Sequence, residues 1–220
     1  MKKIDLKNYK GFCFLKKDDS WERTCVSLTC ALHNIPHIGI DIKDSFPEGF
    51  IPSGSVEWCL NCLERELIPD YYPEWLSESL HRKVWKDTKW PLGKKVFIKP
   101  ADRYKRFTGF ITTGSYKKKK KPPFWCSDVI KFVNEWRYYI SAGEVLTGEW
   151  YWGDEINTPD APELNINIPK DFYGTLDFGI TTSGDFVLVE AHHPFACGWY
   201  GKQHELYVQW LIDGWSYLQK

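Results

Sequence analysis

The side chains best placed by type and spacing to do chemistry are Asp177, Glu190 and His192, at one end of a short apolar hairpin. Residues 175–192 alternate in the manner of two strands, and Ser183–Gly184 reads as a two-residue turn between them. Such a turn sets Asp177 opposite Glu190 and Thr175 opposite His192, all four on one face. Two carboxylates directly opposed in a sheet repel, so removing one of them is expected to relax the protein. A shared cation would answer the repulsion, and oxygen ligands beside a phosphate suit Mg²⁺.

Cations upstream suggest where that phosphate would sit. Val96-Phe-Ile-Lys99-Pro100 ends an apolar strand on a lysine, and Lys105-Arg106-Phe107-Thr108-Gly109 follows with a hydroxyl-bearing, glycine-containing turn. Backbone amides and hydroxyls in such turns cradle anions. Arg137, two residues after Glu135, carries a guanidinium able to grip phosphate bidentately. Its plainer role is a surface ion pair with Glu149 across a hairpin.

These residues need elements to hold them. Gly11–Leu15 and Ile38–Ile42 read as strands, and Trp21–His33 as a helix capped by Ser20. An amphipathic helix follows from Ser55 to about Leu67. Pro69–Pro73 is a break, which divides an N-terminal lobe (residues 1–75) from the rest (residues 76–220). Beyond it, Lys95–Lys99, Asp128–Phe132 and the Glu135–Ile140/Glu144–Trp152 pair read as strands, the pair turning near Ala142–Gly143. Residues 159–169 form a proline-punctuated connection, and Gln203–Leu218 is a helix with a broad apolar face. Hairpins with flanking helices make the class α+β.

Bulk composition narrows the function. The chain has 220 residues, 43% of them hydrophobic, and no net formal charge, which argues against general nucleic-acid coating. No apolar run approaches the roughly 18 residues of a membrane span. The basic, apolar-poor start is unlike a signal peptide, so a cytoplasmic location without membrane partners is expected. Seven scattered cysteines suggest reduced thiols. Cys59 and Cys62, with Cys25 and Cys30, have zinc-like spacing, but Val56, Cys59, Leu60, Leu63 and Leu67 follow a helical core pattern. The lysine run Lys117–Lys121 reads as a solvated loop, with capture of a phosphorylated or nucleic-acid substrate as the alternative.

The order of these features resembles the ATP-grasp superfamily over about residues 76–200. It looks most like the phage- and bacteria-associated clade marked by one arginine and two lysines. The stretches that carry the likeness are Gly54-Ser-Val-Glu57, His81-Arg-Lys-Val-Trp85, Phe97-Ile-Lys-Pro100, Lys105-Arg-Phe-Thr-Gly109, Ser127-Asp-Val-Ile130, Glu135-Trp-Arg137, Leu176-Asp-Phe-Gly179 and Val189-Glu-Ala-His192.

The resemblance implies ATP clasped between two α+β lobes, behind a small N-terminal pre-grasp α/β region. It implies nucleotide contacts from Arg82, Lys99, Lys105, Thr108, Gly109 and Arg137, and an adenine hinge around Ser127 and Asp128. Arg82 stands where other members carry a first lysine, with Lys83 and Lys86 as neighbours. Catalytic roles fall to Arg137 and Lys105, and Mg²⁺ to Asp177 and Glu190. His192 stands where many relatives carry asparagine. An imidazole suits softer ions, so His192 is either a third metal ligand that admits Mn²⁺, a group that bonds phosphate or substrate, or half of a structural pair with His193.

The activity implied is an ATP-dependent carboxylate–amine or carboxylate–thiol ligase working through an acyl-phosphate. Its partners are a small-molecule or peptide carboxylate and an amine or thiol acceptor, with a nucleic-acid-derived substrate also admitted. The alternatives are a kinase-type phosphotransferase on the same scaffold and a non-catalytic aromatic-rich interaction module. Trp199 and Tyr200 are candidate stacking platforms in a substrate-side loop. Cys197 lacks an activating base.

Overall fold

The computed structural model describes residues 4–63, 66–102, 106–114 and 120–220. Gly11–Leu15 (β1) is buried at four of its five positions. It lies between two parallel neighbours, His37–Ile40 (β2) and Phe50–Pro52 (β3). Parallel strands require a crossover, and Trp21–Leu32 (α1) supplies the first. Ser20 Oγ caps that helix by accepting from the Arg23 amide at 3.2 Å. The next helix, Val56–Cys62 (α2), starts at its expected Ser55 cap but stops short of Leu67, because Leu63 is already extended at φ −82°, ψ 131°. Leu67 packs against the same core from outside the helix.

The C-terminal helix His204–Leu218 (α3) completes this first core. Tyr207, Val208, Trp210, Leu211, Trp215 and Leu218 pack with Phe12, Phe14, Val26, Ile51 and Leu60. Lys7 Nζ meets Asp213 at 2.7 Å, and the Asp5 amide donates to Gln209 at 3.0 Å. The cysteines are all free thiols. Cys13, Cys25, Cys30 and Cys59 are core residues. Among the described residues they form no metal-ligating group, so the zinc spacing is a packing pattern.

Two four-stranded antiparallel sheets follow. In the first, Val84–Asp87 (β4), Val96–Pro100 (β5), Phe110–Thr112 (β6) and Phe124–Ser127 (β7) take the order β4-β7-β5-β6. The strand expected at Asp128–Phe132 is displaced: β7 ends at Ser127 and Phe132 opens the next strand. Every residue of β7 is buried between β4 and β5, which removes the apolar–polar alternation that marks strands in sequence.

The second sheet contains Phe132–Ser141 (β8), Glu144–Trp152 (β9), Gly174–Thr181 (β10) and Phe186–His192 (β11), in the order β11-β10-β8-β9. Ala142 and Gly143 turn β8 into β9 with φ of 51° and 76°, as a type I′ turn requires. Trp136, Tyr138, Ile140, Leu176, Phe178, Leu188 and Ala191 form the core behind this sheet. The polar connection is tied onto it by Trp136 Nε1 and Tyr138 OH, which donate to the carbonyls of Pro159 and Pro162 at 3.0 and 2.7 Å. The molecule is α+β, and no described helix is long and apolar enough to cross a membrane.

Candidate active site

Asp177 faces Glu190, and Thr175 faces His192, in the β10–β11 pairing. The route to that register differs from the two-residue turn read in the sequence. The connection is three residues, Thr182 to Gly184, closed by the Gly184 amide donating to Thr181 O and the Thr181 amide to Asp185 O at 3.0 and 2.9 Å. Gly184 takes the left-handed conformation, φ 90°, that such loops demand. A longer turn shifts the register by one, so Phe178 pairs with Leu188. A β-bulge at Val189 shifts it back and restores Asp177 to Glu190.

Across the sheet the same row continues, since Asp177 also pairs with Arg137 of β8, and Arg137 with Glu149 of β9. The guanidinium of Arg137 turns to Asp177. Its Nε donates to Oδ1 at 2.8 Å, and a terminal nitrogen donates to Oδ2 at 2.7 Å. The surface pair with Glu149 does not form; Thr147 donates to Glu149 instead at 2.7 Å. Tyr151 and Tyr200 each place a ring 5.4 Å from the guanidinium carbon.

Glu190 has its own cation. Lys99 is only 6% exposed, and its Nζ donates to Glu190 Oε2 and lies over the rings of Tyr71 and Tyr72 at 3.7 and 4.5 Å. The other oxygen of Glu190 meets His192 Nε2 at 2.7 Å. The expected bare repulsion between Asp177 and Glu190 is therefore corrected: each carboxylate carries a buried countercharge. Burial alone would raise Glu190, but Lys99 and His192 hold it well below the usual carboxylate range. Burial likewise opposes the charge on Lys99 and Arg137, yet Glu190 and Asp177 outweigh it and raise both.

Ligand atoms of Asp177, Glu190 and His192 lie within 4.8 Å of one another. Two carboxylates and an imidazole, with Glu190 and His192 lining the cleft and Asp177 buried beside them, are a donor set that a divalent cation fits.

Two neighbouring cavities flank the row. One, of about 290 Å³, is lined by Tyr72, Phe97, Ser127, Asp128, Ile130 and Glu135, with Arg82 and Val189 at its edge. The other, of about 400 Å³, contains Lys99, Thr108, Gly109, Arg137, His192 and Tyr200. Phe97 and Glu190 line both. Gly109 is needed for close approach, because a Cβ there would stand 2.3 Å from Phe97 Cζ. Glu135 is half-buried beside the row, and this desolvation raises it against the opposing hydrogen bond from Tyr151 OH.

The structure thus gathers Lys99, Thr108, Gly109, Arg137, Glu190 and His192 at one cavity, with Asp177 buried behind Arg137, and Arg82, Ser127 and Asp128 at the other. The Asp128 carboxylate is occupied by Lys94 Nζ at 2.7 Å and the Lys83 amide at 3.3 Å. Arg82 donates to main-chain carbonyls of Leu80, Leu188 and Val189. Lys83 and Lys86 lie over the rings of Trp85 and Trp125 at 5.6 and 4.5 Å. Lys105 and Lys117 to Lys119 lie outside the described residues; Lys120 sits over Phe107 at 5.6 Å.

Trp199 is not an accessible platform. It is 1% exposed and packs against Tyr139 and Tyr207. Tyr200 is exposed at the cleft. The Cys197 thiol, pushed up to about 11 by burial, is no nucleophile at neutral pH. Tyr71, Tyr72 and Tyr151 escaped sequence reading; the sole signal was an aromatic density in which each looked like core.

Two antiparallel sheets enclosing a charged cleft, with Lys99 reaching from one and Asp177, Glu190 and Arg137 from the other, make up an ATP-grasp architecture. Residues 79–210 match the family model described as ATP-grasp domain, R2K clade family 2, and the chain belongs to that family. ATP-grasp proteins are generally ATP-dependent ligases that bind divalent metal.

Among solved structures, D-alanyl-alanine synthetase A from Vibrio cholerae O1 biovar eltor strain N16961 is similar at 11% identity and a TM-score of 0.47, over 94% of this chain and 99% of that one. The ATP-grasp ligase PsnB, complexed with a minimal precursor, is similar at 10% identity and a TM-score of 0.33, over 50% of this chain and 46% of its own. This chain thus matches about half of the PsnB chain. No curated protein matches it.

Proposed function

We propose that this protein is a carboxylate–amine ligase, or carboxylate–thiol ligase, that uses ATP to form an acyl-phosphate. The observation that carries the proposal is the charged quartet of Lys99, Glu190, Asp177 and Arg137, of which Lys99, Arg137 and Glu190 line the larger of the two cavities. Two cations held by two carboxylates form a preorganised field for phosphate oxygens.

In this reading the smaller cavity holds the adenine, between Phe97 and Ile130. Main-chain groups around Ser127 and Asp128 serve as the hinge. Lys99 contacts the inner phosphates, with Thr108, Gly109 and Lys105 over the outer ones. Asp177 and Glu190, with His192, would hold Mg²⁺ or Mn²⁺, which supplies charge neutralisation at the β- and γ-phosphates. A substrate carboxylate oxygen attacks the γ-phosphorus, the bond to the ADP oxygen breaks, and Arg137 neutralises charge on the transferring group. The acceptor nitrogen or sulfur then attacks the acyl carbon, expels inorganic phosphate and loses its proton. Residues 1–75 and 76–220 would act as the pre-grasp and ATP-grasp portions.

A third recess of about 280 Å³ adjoins the phosphate cavity at Ala196, Cys197 and Gly198, and is lined by Asp18, Ser20, Glu22 and Ser53. Its two carboxylates favour an amine acceptor over a second anion. The test incubates the protein with ATP, Mg²⁺, hydroxylamine and a panel of carboxylates and peptides. Hydroxamate with stoichiometric ADP supports an acyl-phosphate. A stable phosphorylated product would instead assign a kinase, and absence of ATP binding with Mg²⁺ would sink both.

A further inference from the structure

Leu188 and Ala191 both enter the core behind the hairpin, although they are three positions apart and a regular strand would send them to opposite faces. The extra residue at Val189 reconciles them. It also decides what faces the cleft: without the bulge, Val189 would stand opposite Asp177 and Glu190 would turn toward the core.

A bulge on an edge strand lacks a neighbouring strand for its outward carbonyls, and β11 is the edge of its sheet. Arg82, more than a hundred residues away in sequence, fills that need. Its guanidinium donates to Leu188 O at 2.5 Å and to Val189 O at 2.9 Å, and is braced by Leu80 O at 3.2 Å and the Tyr72 ring at 5.8 Å. One planar fork thus spans both carbonyls of the bulge, a geometry an ammonium group cannot reproduce.

We infer that Arg82 is a positioning residue, which locks the Val189 bulge so that Glu190 stands on the cleft face opposite Asp177. Its functional consequence rests on the ATP-and-metal reading given above. Arg82 then governs metal affinity through backbone register, whereas a phosphate contact would act through its charge.

The test uses the full chain with Mn²⁺ as probe, titrated by electron paramagnetic resonance in the presence of a non-hydrolysable ATP analogue. Wild type is compared with Arg82→Lys and Arg82→Ala, and amide hydrogen exchange is followed over residues 186–192. Both variants should bind Mn²⁺ about tenfold or more weakly, as expected when an outer-shell support is lost. Exchange over the bulge should accelerate in both while α1 and α3 keep their protection. Wild-type Mn²⁺ affinity in Arg82→Lys would overturn the inference in favour of a simple charge contact. Faster exchange with unchanged Mn²⁺ affinity would overturn it too, since the bulge would not then control Glu190. A wild-type protein that binds neither Mn²⁺ nor the analogue refutes the proposed function instead, and exchange in Arg82→Lys still decides whether the fork holds the bulge.

Discussion

Arg137 grips both carboxylate oxygens of Asp177, at 2.8 and 2.7 Å, with Asp177 only 1% exposed. This pair makes the acidic row a neutralised array. Replacing Asp177 by Asn leaves a buried guanidinium without its countercharge. We expect a loss of about 3–5 kcal/mol, and a fall in Tm on the order of 10 °C. Calorimetry of Asp177→Asn beside Asp177→Asn/Arg137→Met checks it; the double variant should recover part of the loss.

Acid and base should each weaken the Lys99–Glu190 pair. Glu190 lies well below its ordinary 4.5, so its contribution is present above that value and disappears as pH falls through the folded value. Lys99 is raised above its ordinary 10.5, so its contribution is present below 10.5 and disappears as pH rises through the folded value. The stability difference between wild type and Glu190→Gln, measured by urea unfolding, should therefore be flat between these limits and shrink outside them.

Glu135 has the opposite sign. Burial raises it, so the folded protein binds its proton more tightly than the unfolded chain does, and ionisation at neutral pH destabilises. Glu135→Gln keeps an acceptor for Tyr151 and removes the charge. Its Tm at pH 7 should rise by roughly 2–4 °C, about what 1 kcal/mol gives in a chain of this size, and the gain should vanish in acid.

Gly109→Ala tests the cleft wall. The added methyl meets the Phe97 ring, which lines both cavities. Displacement of that ring should weaken ATP-analogue binding by roughly tenfold to a hundredfold, read by isothermal titration, with thermal stability nearly unchanged.

Much of this site was visible in the sequence. The Asp177–Glu190 opposition, the Ser20 and Ser55 caps and the α+β class follow from period-2 alternation and cap chemistry, which are local signals. What escaped was set by tertiary surroundings. The strand at Phe124–Ser127 lost its alternation by being buried on both sides, and Trp199 in a glycine-rich loop looked exposed but lies in the core. The turn and bulge at Gly184 and Val189 offset each other, so a correct pairing came from an incomplete register. Arg82's fork on β11 spans a separation that no local pattern reports.

The sharing of one core by β1, α1, α2 and α3 has a consequence for biosynthesis. The first sheet is made before the aromatic side of its core, Tyr207, Trp210 and Trp215. Until α3 is made, that sheet lacks this part of its apolar cover, and the two antiparallel sheets lie between them in the chain. Long-range closure of this kind slows folding and exposes the nascent chain to aggregation. The N-terminal lobe is thus made before the helix that completes its core.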